Sequence, residues 1–223
     1  MTVRVVAIDG PAASGKSSTA AAVARRLGVL HVDSGALYRG LTRVALDLGP
    51  PFDAVRILAS AEARGLGFRI GHGTLSTWLD GLAAEPRIRA EDVTAAVSEV
   101  SAIPAIRDWV NRRLRALATP DQILVLDGRD IGTAVFPDAA LKVFLDATPQ
   151  VRAERRLRQR GDGVEADRLR AEADRIAARD AADSTRAVAP LVAAPDAVRI
   201  DTSALDFTAQ VDRIVALARA AGL

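Results

Sequence analysis

The chain has 223 residues, about half of them apolar and 26% charged, which suits one large domain with its own buried core. It has no cysteine, which excludes disulfides and thiolate metal sites, and no apolar run near the ~20 residues that a membrane-crossing helix needs. The pI is near 9.6, yet the net charge is only +2 and no block of like charges occurs, so a nucleic-acid partner is not expected.

The opening MTVRVVAIDG lacks the basic end and long apolar run of a secretion signal, and a cytoplasmic protein is expected. Val3 to Ile8 is β-branched and apolar throughout, which predicts a strand buried on both faces. Gly15 to Leu27 is alanine-rich and helical in pattern, and Gly28 closes it. A second strand is expected at Val29 to Val32 and a second helix at Gly35 to Leu48, ended by Gly49-Pro50-Pro51. Leu66 to Ile70 and Thr74 to Leu79, joined by Gly71-His72-Gly73, read as a hairpin that interrupts the alternation. Further strands are expected at Ile123 to Leu126, Leu141 to Leu145 and Val198 to Ile200. Helices are expected at Pro149 to Arg160, Glu165 to Ala182 and Phe207 to Ala220, with Gly161-Asp162-Gly163 as the hinge of a mobile arm. The pattern predicts an α/β fold: a five-stranded parallel sheet flanked by helices, with a small inserted β subdomain and a helical lid.

Gly10-Pro11-Ala12-Ala13-Ser14-Gly15-Lys16-Ser17 fits G-x-x-x-x-G-K-[ST], directly after a strand and opening a helix. Such a loop turns its backbone N–H groups around phosphate oxygens, and the helix N-terminus adds its positive dipole end. Lys16 then reaches the β and γ phosphates, the Ser17 hydroxyl suits Mg²⁺, and Ser18 lies beside them; ATP and Mg²⁺ are the expected cofactors. Lysine occurs only at 16 and 142 among 30 basic residues, so Lys16 marks a place that needs a compact ammonium, whereas Lys142 reads as a surface residue. Asp127 ends a strand at the edge where ligands of open parallel sheets bind, a second candidate for Mg²⁺, with Asp9 a weaker rival. His31 and His72 are isolated and form no metal site, and Trp78 and Trp109 read as packing residues.

Neither lysine follows an asparagine, so the Asn-Lys-x-Asp motif of guanine-reading proteins is absent. Arg39, Arg129, Arg179 and Arg186 are read at loop or helix-end positions. Converging guanidinium groups are what phosphoryl transfer between two anions requires, since they offset repulsion and stabilise the equatorial charge.

These motifs, in this order, resemble the bacterial cytidylate kinases. The resemblance is carried by Ile8 to Lys16, Asp33-Ser34-Gly35-Ala36-Leu37-Tyr38-Arg39, Asp127-Gly128-Arg129-Asp130-Ile131-Gly132-Thr133, Val135 to Ala139, Phe144 to Ala147 and Arg186-Ala187-Val188-Ala189-Pro190-Leu191. It implies a kinase that moves the γ-phosphoryl group of ATP to CMP or dCMP. It implies that Ser98, Arg107 and Asp130 read cytosine, with Asp130 accepting from the exocyclic amine and uracil facing that carboxylate with a carbonyl. Asp183 would bind the pentose, Ser34 and Tyr38 flank sugar and phosphate, and Arg39, Arg129, Arg179 and Arg186 hold phosphates. The lid would span 150–184, with Arg155, Arg156 and Arg160 reaching ATP, and Lys16, Arg129, Arg155, Arg179 and Arg186 acting in transfer. Residues 34–118 would form the monophosphate-binding region, with the β insertion at about 64–84. A monomer acting on small molecules, away from membranes and nucleic acid, is expected. A kinase for UMP, dTMP or shikimate would keep the loop and replace Ser98, Arg107 and Asp130. A non-catalytic nucleotide-sensing or RNA-binding module would need exposed aromatics, which 4% aromatic content disfavours.

Overall fold

The structure, a computed structural model, describes residues 3–71 and 74–223; His72 and Gly73 of the expected hairpin turn lie outside them. The first half runs β1 (Val3–Asp9), α1 (Lys16–Leu27), β2 (Leu30–Asp33), α2 (Ser34–Leu48) and α3 (Ala54–Ala63), then β3 (Gly67–Gly71), β4 (Thr74–Leu79) and β5 (Leu82–Ala83). The rest runs α4 (Glu91–Ala102), α5 (Pro104–Arg115), β6 (Leu124–Gly128), β7 (Ala139–Asp146), α6 (Pro149–Arg160), α7 (Ala166–Thr185), β8 (Val198–Asp201) and α8 (Phe207–Ala220). The main sheet has five parallel strands in the order β2-β6-β1-β7-β8.

The unbroken apolar run of β1 has a simple cause: both its faces are covered. Val5 and Ala7 join Val32, Leu124 and Leu126 against Leu37 and Leu41 of α2, and Ile106 and Trp109 of α5. Val6 and Ile8 point the other way, joining Val143 and Leu145 against Val23 of α1 and Ile214 of α8. β1 thus ends between two covered faces, and the loop that follows it emerges at the carboxyl edge of the sheet, where open α/β folds bind ligands.

The small antiparallel sheet β3-β4-β5 lies between α3 and α4 in sequence, one strand more than the expected hairpin. Its leading residue Leu66 sits so close to α2 that a Cβ on Gly40 would stand 2.5 Å from Leu66 Cδ1. A glycine in mid-helix is costly, and this contact accounts for it. Gly161 ends α6 in a left-handed conformation at φ 76, its N–H donating to Arg158 and Leu157 carbonyls, as a helix C-cap does.

Candidate active site

The β1–α1 loop is built by conformational demands that few sequences meet. A Cβ on Gly10 would stand 2.2 Å from the Leu145 carbonyl oxygen, so the loop can leave β1 against β7 only with glycine there. Ala13 and Gly15 both take positive φ, 59 and 85, which turns the loop back toward α1. Pro11 contributes a carbonyl that accepts from the Lys16 ammonium at 3.1 Å. Lys16 is buried, and that burial, with the Arg129 guanidinium next in weight, pushes its pKa down to about 7 against the pull of Asp127 and Asp33. An anionic group in the loop would restore the full charge.

Ser17, one residue on, donates to the Asp127 carboxylate from across the sheet edge, and Ser34 donates to the Asp127 carbonyl at 2.6 Å. The other Asp127 oxygen lies 2.7 Å from His31 Nε2. Ser17 and Asp127 therefore bring two hard oxygen donors together, a set that fits Mg²⁺ sharing its shell with phosphate and water. No group of three or more His, Cys, Asp or Glu among the described residues holds a metal by itself. Sequence reading missed His31; its signal was the strand alternation that sets 31 and 33 on one face of β2, with Asp33 in register with Asp127. Asp9, the expected rival for metal, is occupied otherwise. Its carboxylate accepts from the Ile131 and Gly132 N–H groups at 2.8 Å each, and burial pushes its pKa up to about 6 despite them.

A second group of side chains gathers around Asp130. Arg107, fully buried on α5, donates to Asp130 Oδ2 and, at 3.1 Å, to the Ser101 carbonyl. Arg186 Nη2 lies 3.5 Å from Asp130 Oδ1, and its Nε donates to the Ala189 carbonyl at 2.6 Å. Tyr38 lies with its ring 5.3 Å from the Arg107 guanidinium, and burial raises its pKa, so its hydroxyl keeps its proton. Ser98, Tyr38 and Asp130 line one cleft of about 1000 Å³ with Lys16, Ser17 and Ser18; Arg107 and Arg186 stand behind its wall.

Between the two groups lies a cationic zone. Arg39 donates to Thr94 at 2.9 Å and Arg129 to Asp183 at 2.9 Å, while Arg179 reaches in from α7. Burial, then repulsion from Arg129 and Arg39, pushes Arg179 down to about 9; burial and Arg89 push Arg39 down to about 10. Guanidinium groups stay charged in proteins, so the shifts express how strongly this zone favours an anion. Arg156 is lowered in the same way, by burial and then by Arg160. Six buried side-chain polar atoms among the described residues have no partner, and four belong to this region: Ser14 Oγ, Tyr38 OH, Arg107 Nε and Arg179 Nε. Buried polar groups are seldom left unpaired without a functional reason.

Two expectations need correction. Arg39 and Arg179 lie inside α2 and α7, not at loops or helix ends; both reach the cleft because their helix faces border it. Lys142 is no surface residue: it is 9% exposed, and its ammonium donates to the Pro137 carbonyl and at 2.8 Å to Asp196. Three N–H donors on a compact head suit that crowded pair of acceptors. Arg155 lines the cleft, its two Nη atoms donating to Thr202 Oγ1 at 3.0 Å and to the Thr202 carbonyl at 2.6 Å. Arg160 pairs with buried Glu172 at 3.0 Å, joining α6 to α7. A further contact was not expected: Asp180 of α7 accepts from the Ala12 N–H at 2.9 Å and pairs with Arg152, tying the arm to the loop.

The chain matches the cytidylate kinase family over residues 6–220. It is 42% identical to the cytidylate kinase of Mycobacterium avium and 44% identical to that of Chromobacterium violaceum, each alignment covering 96% of this chain and 95% of the relative. It is also 44% identical to a bifunctional pantoate ligase/cytidylate kinase of Synechococcus, spanning 96% of this chain but only 40% of that longer protein. A family match over nearly the whole length, with relatives above 40% identity covered almost end to end, shows that this chain belongs to the cytidylate kinase family.

Proposed function

We propose that the chain transfers the γ-phosphoryl group of ATP to CMP or dCMP, giving ADP and CDP or dCDP. The observation that carries this reading is that one cleft joins the phosphate loop to the Asp130 group, with the unpartnered buried atoms distributed over both. Gly10 to Ser18 hold the donor phosphates, with Arg156 and Arg160 reaching them from the arm. Ser17 and Asp127 would hold Mg²⁺, which would supply charge neutralisation to the donor phosphates.

At the acceptor end, Arg107 keeps a buried Nε with hydrogen-bonding capacity, and each Asp130 oxygen has a further lone pair to offer. Cytosine presents a matching edge, an amine for Asp130 and ring acceptors for Arg107 and Ser98. Asp183 takes the pentose; Ser34, Tyr38 and Arg39 hold the acceptor's sugar and phosphate. Arg129 and Arg179 lie in the cationic zone between the two groups and lower the repulsion between donor and acceptor anions, with Arg186 adding its charge from behind the wall. The acceptor phosphate is itself the nucleophile, so no strong side-chain base is required; alignment and electrostatics supply the rate.

In this reading 34–118, with the small sheet at about 64–84, grips the monophosphate, and 150–184 acts as the lid. Near-neutral net charge and few aromatics support small nucleotides as partners, and a cytoplasmic monomer is part of the same proposal. No helix among the described residues is long and apolar enough to cross a membrane. A coupled assay of ADP release over CMP, dCMP, UMP, dTMP, AMP and GMP tests the proposal. CMP and dCMP should lead by orders of magnitude, and a different leading acceptor would overturn it.

A further inference from the structure

One end of the cleft is left unused by the phosphate loop and the Asp130 group. It is walled by the residues that follow β8: Leu205, Phe207 and Gln210, with Thr19 of α1 and Arg155. Phe207 is 48% exposed although it is a large apolar residue, so part of its ring is open to solvent. Arg155 is held in place by its two bonds to Thr202, which fixes a planar guanidinium at this end. Gln210 is different in kind: it is 3% exposed, a polar side chain buried between α8 and α1. Its Nε2 donates to Thr19 Oγ1, and the Thr19 hydroxyl spends its own proton on the Gly15 carbonyl at 2.9 Å. That sets the amide's orientation, because a flipped amide would set its oxygen against a hydroxyl already committed elsewhere. Among the described residues no donor reaches Gln210 Oε1, in a residue that lines the cleft.

We infer that Gln210 reads the base of the phosphoryl donor: its Oε1 accepts a hydrogen bond from the 6-amino group of adenine. Leu205 and Phe207 supply the apolar surface and Arg155 a flat cation for the ring. Guanine carries a carbonyl at the same place, which would meet Oε1 oxygen to oxygen, so the site prefers ATP to GTP. This inference rests on the donor-site reading above, but it concerns which donor is taken rather than which acceptor.

The test compares kcat/KM for ATP and GTP, at saturating CMP, in the parent and in Gln210→Leu, together with equilibrium binding of non-hydrolysable ATP and GTP analogues. Gln210→Leu should lose about tenfold for ATP, through KM and the binding constant rather than kcat, and far less for GTP. A merely structural role would lower both donors alike. If Gln210→Leu does not fold, the parent still decides: purine riboside 5′-triphosphate, which lacks the amine, should fall about tenfold below ATP. An unchanged ATP-to-GTP ratio in folded Gln210→Leu, or equal use of the amine-free analogue, overturns the inference. Failure of the parent to phosphorylate CMP would instead overturn the proposed reaction, while analogue binding would still report on Gln210.

Discussion

The two ends of the cleft are built in opposite ways. The donor end is made chiefly of consecutive backbone, nine residues from Gly10 to Ser18 held by two positive-φ positions and a glycine pressed against β7. The acceptor end is made of side chains from distant places: Ser98 on α4, Arg107 on α5, Asp130 after β6 and Arg186 after α7. Backbone donors ask little of side-chain identity and bind any nucleoside triphosphate by its phosphates. Side chains joined by a buried ion pair set a fixed donor and acceptor pattern, which is what choosing a base requires. In the proposed reaction the phosphate loop supplies rate and the Asp130 group supplies the choice of acceptor.

The largest break in that comparison is Lys16→Ala. Its loss should lower kcat for every acceptor by roughly 10³ or more, because the ammonium follows charge onto the γ-phosphate in the transition state. The melting temperature should hold, and the CMP-to-UMP ratio should stay as in the parent; steady-state kinetics with a thermal scan reads both. A smaller effect is expected at Asp127→Asn, which keeps the volume and removes one anionic oxygen beside Ser17. The Mg²⁺ concentration for half-maximal rate should rise roughly tenfold, and metal-linked thermal stabilisation should weaken in step. An unaltered Mg²⁺ requirement would remove Asp127 from the metal site.

The smallest effect concerns the arm. Asp180 and Arg152 tie the C-terminal part of α7 to Ala12, so in the proposed lid motion the part around Gly161 is the one expected to move. Hydrogen exchange over 158–172 should slow severalfold on binding a bisubstrate analogue, while 176–185 should be protected beforehand. Equal protection of both stretches without ligand would contradict a lid.

The same contrast explains what was legible in the sequence. Much that is local could be read: the covered strands, the phosphate loop, and Asp127 at a strand end. Dispersed contacts could not. His31 meets Asp127 through sheet register, and Lys142 meets Asp196 across 54 positions of chain. The segment from 54 to 115 was read as little more than a hairpin, although it forms α3, α4 and α5 as well. Val93, Val97 and Val100 have helical spacing and Pro104 sits at a helix start, but small residues between them blur the period. The two-residue β5 is too short to show any alternation. The roles of Ser98, Arg107 and Asp130 came only through family resemblance, since no local pattern marks three side chains from three elements as one surface.

The central claim, that Asp130 makes the acceptor end read cytosine, is tested most directly by Asp130→Asn. The amide keeps an oxygen for Arg107, so the buried guanidinium is not left alone, as it would be with alanine. Its NH₂ would face the amine of cytosine and suit the carbonyl of uracil. Measured as kcat/KM for CMP over that for UMP, the preference should fall by roughly 10² or more, with CMP losing and UMP holding or gaining. Equal losses on both acceptors, leaving the ratio at its parent value, would assign Asp130 to holding Arg107 and Arg186 in place and contradict base reading.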